Sequence, residues 1–330
     1  MTTAINRRKF VAISAAAAGL SALPLGASNK AAAGHLVEWR GTCLGAVATL
    51  RVRHRDEGVA RELIRRAVAE ADRLQDVFSL YREDSDLCQL NRHGVLASPP
   101  RELSDLLIAC NYYWEITGGT FDPTVQALWR CYADSFSTRG EAPTPAEKDA
   151  ALELVRWRQV NFDRDRVVLA RPGMALTLNG IAQGYITDRV LDQLRSAGIE
   201  SCLVDMGEIR TLGEKPDGSW RVAIEDASGK ISSSIPVLNR AVATSGAYGF
   251  RFDTRGQCNH LFDPKTGGCA AALRTVTVVS ESATGADALS TAFALMQDEV
   301  VSSTLALVPR TEAYSVEAGS LREIIAHQRT

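Results

Sequence analysis

The sequence predicts an α+β fold, and three observations carry the prediction. Helical periodicity dominates the first half of the chain, short alternating stretches of strand length dominate the second, and no regular βαβ repeat joins them. A polar linker near residues 141–145 is too weak a break to mark a domain boundary. With 330 residues, 45% of them hydrophobic, the chain can fill one large core or two ordinary ones.

Residues 1–33 stand apart from this pattern. Arg7 and Arg8 precede Phe10, Val11 and an alanine-rich apolar run, and Ala31, Ala32 and Ala33 offer small residues for cleavage. The segment resembles a twin-arginine export signal, which implies a mature chain of residues 34–330 carried folded to the periplasm. A basic N-terminal helix or an uncleaved anchor would use the same residues. Without Arg7, Arg8, Lys9 and Lys30, the 37 basic residues fall to 33 against 39 acids, a charge of −6. No basic run remains, which argues against nucleic acid as the main partner. Beyond the signal no apolar run is long enough to span a bilayer. Seven cysteines lie scattered with no CxxC pair, so spacing predicts no zinc site, and an odd number leaves one over from any disulfide set.

Along the chain, residues 36–53 alternate as one or two strands broken at Gly41 and Gly45. Asp56 to Phe78 reads as a long helix with Val59, Leu63, Ile64, Ala67, Ala71 and Leu74 on its apolar face. SLYREDSDLCQLNRHG is a polar loop with a short helical piece, and Arg101 to Thr117 is a helix stopped by Gly118 and Gly119. Pro123 suits the first turn of a short helix toward Trp129, and Pro145 opens another to Val155. Strands are expected at 160–162, 167–170 and 176–178. A central helix follows, with Ile181, Tyr185, Ile186, Val190, Leu191 and Leu194 at helical spacing and Gly198 as its stop. Further strands are expected at 201–204, 209–212, 220–224, 232–237, 241–244, 250–253 and 261–262. A strand at 275–279, helices at 282–296 and 298–307 and a strand at 313–316 close the chain, with LREIIAHQR as a helical tail, docked or frayed.

The entry to the central helix is where chemistry first suggests itself. Gly180, Ala182 and Gly184 are small residues around unpaired N–H groups, the make-up of a phosphate site. A tight strand-to-helix connection with no ligand would look the same. Asp287 and Thr291 lie four apart on a predicted helix and so share a face, offering two oxygen ligands suited to Mg²⁺. Such pairs also occur on solvated faces, but here the flanking residues are apolar and a buried carboxylate needs a partner. His260 ends a strand before a turn and is either structural or a general base. Thr244, Ser245 and Gly246 end another strand with donors and close backbone access, or simply make a turn.

Seven stretches occur in an order that resembles one family: SLYREDSDLCQLN, TGGTFDPTV, LTLNGIAQGYITD, VDMGEIRTLG, ATSG, NHLFDPKTG and TVVSESATGADALSTA. Across nearly the whole mature chain they resemble the ApbE family of FAD:protein FMN transferases. The resemblance implies a T-fold-like, mixed and largely antiparallel sheet with flanking helices. It implies FAD as FMN donor, Mg²⁺, release of AMP, and a phosphoester to Thr or Ser of an acceptor flavoprotein. Carried over by motif, Asp287 and Thr291 would ligate the metal, with the Ala182 carbonyl as a third ligand. Asp287 and His260 would be the catalytic residues, with His260 as base toward the acceptor hydroxyl. Ser79, Tyr81, Asp122, Thr124, Gly180, Ile181, Ala182, Gln183, Gly184, Glu208, Ser245 and Gly246 would line the flavin and nucleotide. Many relatives have Lys where Gln183 stands, and G-G-D where Met206-Gly207-Glu208 stands. The export signal and the shortened VDMGEIR segment look most like the NosX-like branch of nitrous-oxide respiration, which implies a NosR-like, periplasm-facing acceptor. An FAD pyrophosphatase giving free FMN, or a non-catalytic periplasmic flavin-binding protein, would share most of these motifs.

Overall fold

The computed structural model describes residues 34–324 apart from 255 and 318, so the segment expected to be an export signal, 1–33, lies outside the described residues. The first described elements are a hairpin of β1 (His35–Cys43) and β2 (Ala46–His54). Leu44 and Gly45 turn it with φ of 47° and 86°, the left-handed pair whose twist matches that of the flanking strands. Gly41 does not interrupt β1, contrary to expectation. It pairs with Ala48 inside the ladder, and the Trp39 ring lies 2.4 Å from where its Cβ would sit.

Helix α1 (Glu57–Phe78) is capped by Asp56, whose carboxylate accepts from Val59 N–H. Its buried stripe runs through Ala60, Ile64, Ala67, Ala71, Leu74, Val77 and Phe78, while the expected Val59 is exposed at the cap. α2 (Asp86–His93), α3 (Arg101–Ile116), α4 (Gln126–Arg139) and α5 (Pro145–Leu152) complete the helical half. α4 runs well past Trp129 to Gly140 (φ 72°), entered through a 3₁₀ turn at Pro123–Val125. β3 (Val95–Ala97), β4 (Val160–Phe162) and β5 (Arg166–Leu169) form a small sheet in the order β3-β5-β4. Three residues are too few to show alternation, which is why β3 has no sequence signal.

The second half supplies helix α6 (Ala182–Ser196), then β6 (Cys202–Asp205), β7 (Ile209–Leu212), β8 (Trp220–Glu225), β9 (Ile231–Val237) and β10 (Ala241–Gly246). β11 (Arg274–Ser280), α7 (Ala283–Phe293), α8 (Asp298–Leu305), β12 (Glu312–Glu317) and β13 (Ser320–Ile324) follow. The main sheet has the order β1-β2-β6-β7-β10-β11-β12-β13 with every neighbouring pair antiparallel, and β8 and β9 form a separate hairpin. α6 packs against α1 and α7, and α7 lies on β10 and β11. Leu50, Leu74, Ile186, Val278 and Leu289 bring strands and helices into one buried cluster. The α+β expectation, a largely antiparallel sheet with flanking helices, is what the chain adopts.

Three expected elements differ. Residues 176–178 join no sheet; the Asn91 side chain takes the Leu176 N–H (2.6 Å) and donates to its carbonyl (2.8 Å), in place of a neighbouring strand. The expected strands at 250–253 and 261–262 reduce to single bridges, Arg251 with Asn259 and Phe262 with Cys269, because their aromatics turn into a cluster where Phe136 stacks on Phe252 at 5.6 Å. Leu321 to Ile324 belong to edge strand β13, paired with β12, where a helical tail was expected; residues 325–330 lie outside the described residues.

Candidate active site

The site is assembled on the contact between α6 and α7. Gly184 lets the helices touch: a Cβ there would lie 2.2 Å from the Ala283 carbonyl oxygen. One turn along α6, Asp188 accepts from the N–H groups of Ala283 (2.8 Å) and Thr284 (2.9 Å) and from the Thr284 hydroxyl, and it pairs with Arg210. It thus caps α7 from outside, while Ser282 caps it from within by accepting from Gly285 N–H. Fixed in this way, α7 turns Asp287 back toward the start of α6, where its carboxylate accepts from Gly184 N–H at 3.0 Å. Thr291 follows on the same face, over Gly180, where a Cβ would lie 2.8 Å from its hydroxyl. Ser245, at the end of β10, reaches Ser290 (2.8 Å) and Thr291 (3.4 Å).

These groups open on a cavity of about 870 Å³, near the top of the roughly 300–1,000 Å³ range of cofactor sites. Of the residues singled out by sequence, Tyr81, Asp122, Gly180, Gln183, Glu208, Ser245, Gly246, His260, Asp287 and Thr291 line it. Ser79, Thr124, Ile181, Ala182 and Gly184 stand behind the wall. Ser79 accepts from Tyr81 and Arg82 N–H and so sets the turn that presents Tyr81. Thr124 donates to Asp122 through its N–H (2.8 Å) and hydroxyl, and Trp114 Nε1 adds a third bond at 3.2 Å. Burial raises the Asp122 carboxyl despite these donors. Ile181 and Ala182 are fully covered, their N–H groups both bonded to the Leu178 carbonyl.

Gln183 acquires a packing explanation. It is buried, its amide donates to the Cys43 carbonyl at 3.4 Å, and Gly207 (φ +109°) makes room for it. A Cβ on Gly207 would lie 2.3 Å from Gln183 Nε2. The tight Met206-Gly207-Glu208 turn and the glutamine therefore fit each other.

The electrostatics of this end of the cavity are acidic. Burial raises Asp205 to about 6, against the Gly207 N–H that it accepts at 3.0 Å. Burial, then the charges of Asp287 and Asp205, raise Glu208, and burial raises Asp287. Sequence reading missed Asp205, although it stands three residues from Glu208 in the same motif, and it missed the supporting roles of Asp188 and Asn91. Among the described residues no three His, Cys, Asp or Glu side chains converge as a metal cluster. A single carboxylate with a neighbouring hydroxyl suits Mg²⁺, which completes its shell with phosphate oxygens and water. The buried Asp287 carboxylate, beside other acids and with one amide donor, fits a hard divalent cation.

His260 approaches from the 259–270 loop. Asn259, wholly buried, donates to the Ala270 carbonyl (2.9 Å) and accepts from Leu261 N–H (3.1 Å), holding the loop shut. His260 Nδ1 lies 3.3 Å from the Phe250 carbonyl. A carbonyl only accepts, so Nδ1 carries the hydrogen and Nε2 keeps its lone pair. Burial lowers the imidazole below its ordinary 6.5.

The antiparallel α+β scaffold brings oxygen donors and a histidine to one cavity large enough for a dinucleotide, and its relatives make the class of the enzyme a transferase. The chain belongs to the ApbE family, whose model matches residues 44–315. It is 32% identical over 263 residues to the FAD:protein FMN transferase of Treponema pallidum (strain Nichols), covering 72% of each chain. Identity to the enzyme of that name from Vibrio cholerae serotype O1 is 32% over 246 residues, 70% of this chain and 73% of the relative. Among solved structures, the flavin transferase ApbE from Vibrio cholerae superposes with a TM-score of 0.76 at 25% identity, over 88% of this chain and 97% of that one. The ApbE protein of Thermotoga maritima gives 0.77 at 28%, again over 88% and 97%.

Proposed function

We propose that the chain is an FAD:protein FMN transferase that cleaves the FAD pyrophosphate, attaches FMN through a phosphoester to a Thr or Ser of an acceptor protein and releases AMP. The observation that carries this reading is the convergence of Asp287, Thr291, Ser245, Glu208 and His260, from four separate stretches of chain, on one cavity. Asp287 and Thr291 would hold Mg²⁺; the Ala182 carbonyl, the third ligand that the resemblance implies, stands behind the cavity wall and is not among the groups that face it. When bound, the ion would polarise the pyrophosphate and neutralise charge on the departing AMP. The protein's own part is to place and to deprotonate. Gly180 leaves room for the Thr291 side chain to stand at the cavity, and Ser245 and Tyr81 offer hydroxyls to the bound dinucleotide. His260 Nε2, unprotonated, takes the proton of the acceptor hydroxyl as it attacks phosphorus. The Arg7-Arg8 segment supports export, and a periplasm-facing flavoprotein, NosR-like if the branch is NosX-like, is the acceptor this reading requires.

Incubation with FAD, Mg²⁺ and a candidate acceptor, followed by mass spectrometry, tests the reading. Covalent FMN on the acceptor is the expected result. Free FMN with an unmodified acceptor would make the chain a pyrophosphatase, and intact bound FAD would make it a carrier.

A further inference from the structure

One face of α4 meets the cavity with its polar groups unpaired. Gln126, Trp129 and Arg130 stand three and four residues apart, so they share a helix face, and all three line the cavity. Leu128 and Tyr132 are buried instead in the aromatic cluster with Phe262. Four amide side chains line the same space. Asn91 is engaged by the Leu176 backbone, Asn179 by the Tyr81 hydroxyl at 3.5 Å and Gln183 by the Cys43 carbonyl at 3.4 Å. Gln126 is 6% exposed, yet its amide bonds to no group among the described residues. Of the two guanidinium groups at the cavity, that of Arg92 donates to the Glu83 carbonyl at 3.1 Å. Arg130 is half-buried and makes no hydrogen bond or ion pair among the described residues. An amide and a cation withdrawn from water in this way are costly without a ligand.

The start of α4 is also tied to the metal-facing helix. Thr177 N–H donates to the Pro123 carbonyl at 2.8 Å, in the 3₁₀ turn that opens α4, and three residues further on Gly180 faces Thr291. At most about 11 Å of backbone joins Thr177 to Gly180. A ligand whose phosphates stand at Asp287 and Thr291 therefore has a ring system within reach of this face.

We infer that Gln126 and Arg130 recognise the pyrimidine edge of the flavin ring and so hold FAD by its flavin end; this rests on the reading of FAD as substrate. That edge presents a carbonyl, the N3–H and a second carbonyl in a row. The Gln126 amide supplies an acceptor for N3–H and a donor for one carbonyl, and the Arg130 guanidinium, which only donates, takes the other. Adenine, the second ring of FAD, would turn an amino donor toward a guanidinium that cannot accept. A carboxylate would leave the Gln126 oxygen unpaired. Trp129 and Phe262, which line the same cavity, add flat apolar surface for a fused ring.

The test titrates the full chain with FAD, with FAD methylated at N3, and with ADP, without Mg²⁺ so that no turnover intervenes. The wild type is expected to bind FAD roughly tenfold more tightly than the methylated analogue, the worth of one hydrogen bond. Gln126→Leu and Arg130→Met should each weaken FAD binding by a similar factor, and Gln126→Leu should bind the two flavins alike. ADP affinity and thermal midpoints should stay near those of the wild type. Arg130→Met changes a half-buried position, and the comparison of the two flavins on wild type needs no variant, so the test survives a Gln126→Leu chain that does not fold. Unchanged FAD affinity in both variants, an equal loss of ADP affinity, or equal binding of the two flavins by the wild type would overturn the inference. A wild type that binds no FAD would remove the substrate reading with it, whereas one that binds FAD without discriminating against the analogue would remove this inference alone.

Discussion

His260 is the residue whose chemistry is most sharply set by its surroundings. The Phe250 carbonyl fixes the hydrogen on Nδ1, and burial lowers the imidazole below its ordinary 6.5, so the base form persists under mildly acidic conditions. Transfer is therefore expected to stay level as pH falls through 6.5 and to decline only at the lower folded pKa. His260→Ala should lose roughly 10²- to 10⁴-fold in transfer with FAD binding retained. An unchanged rate would remove the histidine from the proton path. The sign for stability is the same: a pKa lowered on folding gives a contribution fully present above the unfolded 6.5 and lost as pH falls toward the folded value. Urea midpoints of the wild type should thus fall over that window by more than those of the alanine variant. Gln183 shows the opposite case of legibility. Its identity is plain in the sequence, yet its partners, the Cys43 carbonyl and the space above Gly207, come from strands β1 and the β6–β7 turn. No local pattern could reveal them.

At the scale of elements, the α6–α7 contact decides whether the site exists. Gly184→Ala would gain up to about 1 kcal/mol of helix propensity in isolation. Against that, its Cβ would meet the Ala283 backbone at 2.2 Å, a group that cannot rotate away, and overpacking of this kind costs roughly 1–3 kcal/mol or more. A lower thermal midpoint is expected, with metal-dependent turnover reduced because the Gly184 N–H to Asp287 bond moves with α7. A midpoint at or above wild type would show that the helices can separate without cost. Elements with long periodicity, α1, α3 and α6, were legible, as were most strands of four residues or more, whereas β13 was expected as a helical tail and the strand expected at 250–253 reduces to a bridge. What escaped was backbone satisfied by side chains: Asn91 on residue 176, Asn259 on the His260 loop and Asp188 on the start of α7. Each joins positions far apart in sequence. The residues that line the cavity were singled out through ordered motifs rather than through any single spacing, and the motifs did not distinguish them from Ser79, Thr124 and Gly184, which stand behind the wall.

For the whole molecule, burial of the acidic wall opposes folding. Burial raises the carboxyls of Asp205, Glu208 and Asp287, the charges of Asp287 and Asp205 add to it at Glu208, and Asp287 has a single amide donor. A ligand bound only by the folded chain stabilises it by about 2.7 kcal/mol at one hundred times its dissociation constant. Since about 1 kcal/mol moves the midpoint of a domain approaching this size by roughly 2–4 °C, FAD with Mg²⁺ should raise it by about 5–10 °C, and chelation should reverse the part that depends on the ion. Asp287→Asn separates the two effects. The amide keeps the shape and an oxygen toward Gly184 N–H but removes a buried charge, so the variant without ligand should melt at or above the wild type while losing the Mg²⁺-dependent rise. Scanning calorimetry with and without Mg²⁺ measures both quantities on the same samples. A variant that keeps the full Mg²⁺-dependent rise would detach Asp287 from the metal, and one that melts well below the wild type would show that the carboxylate contributes more through its bond to α6 than it costs in repulsion.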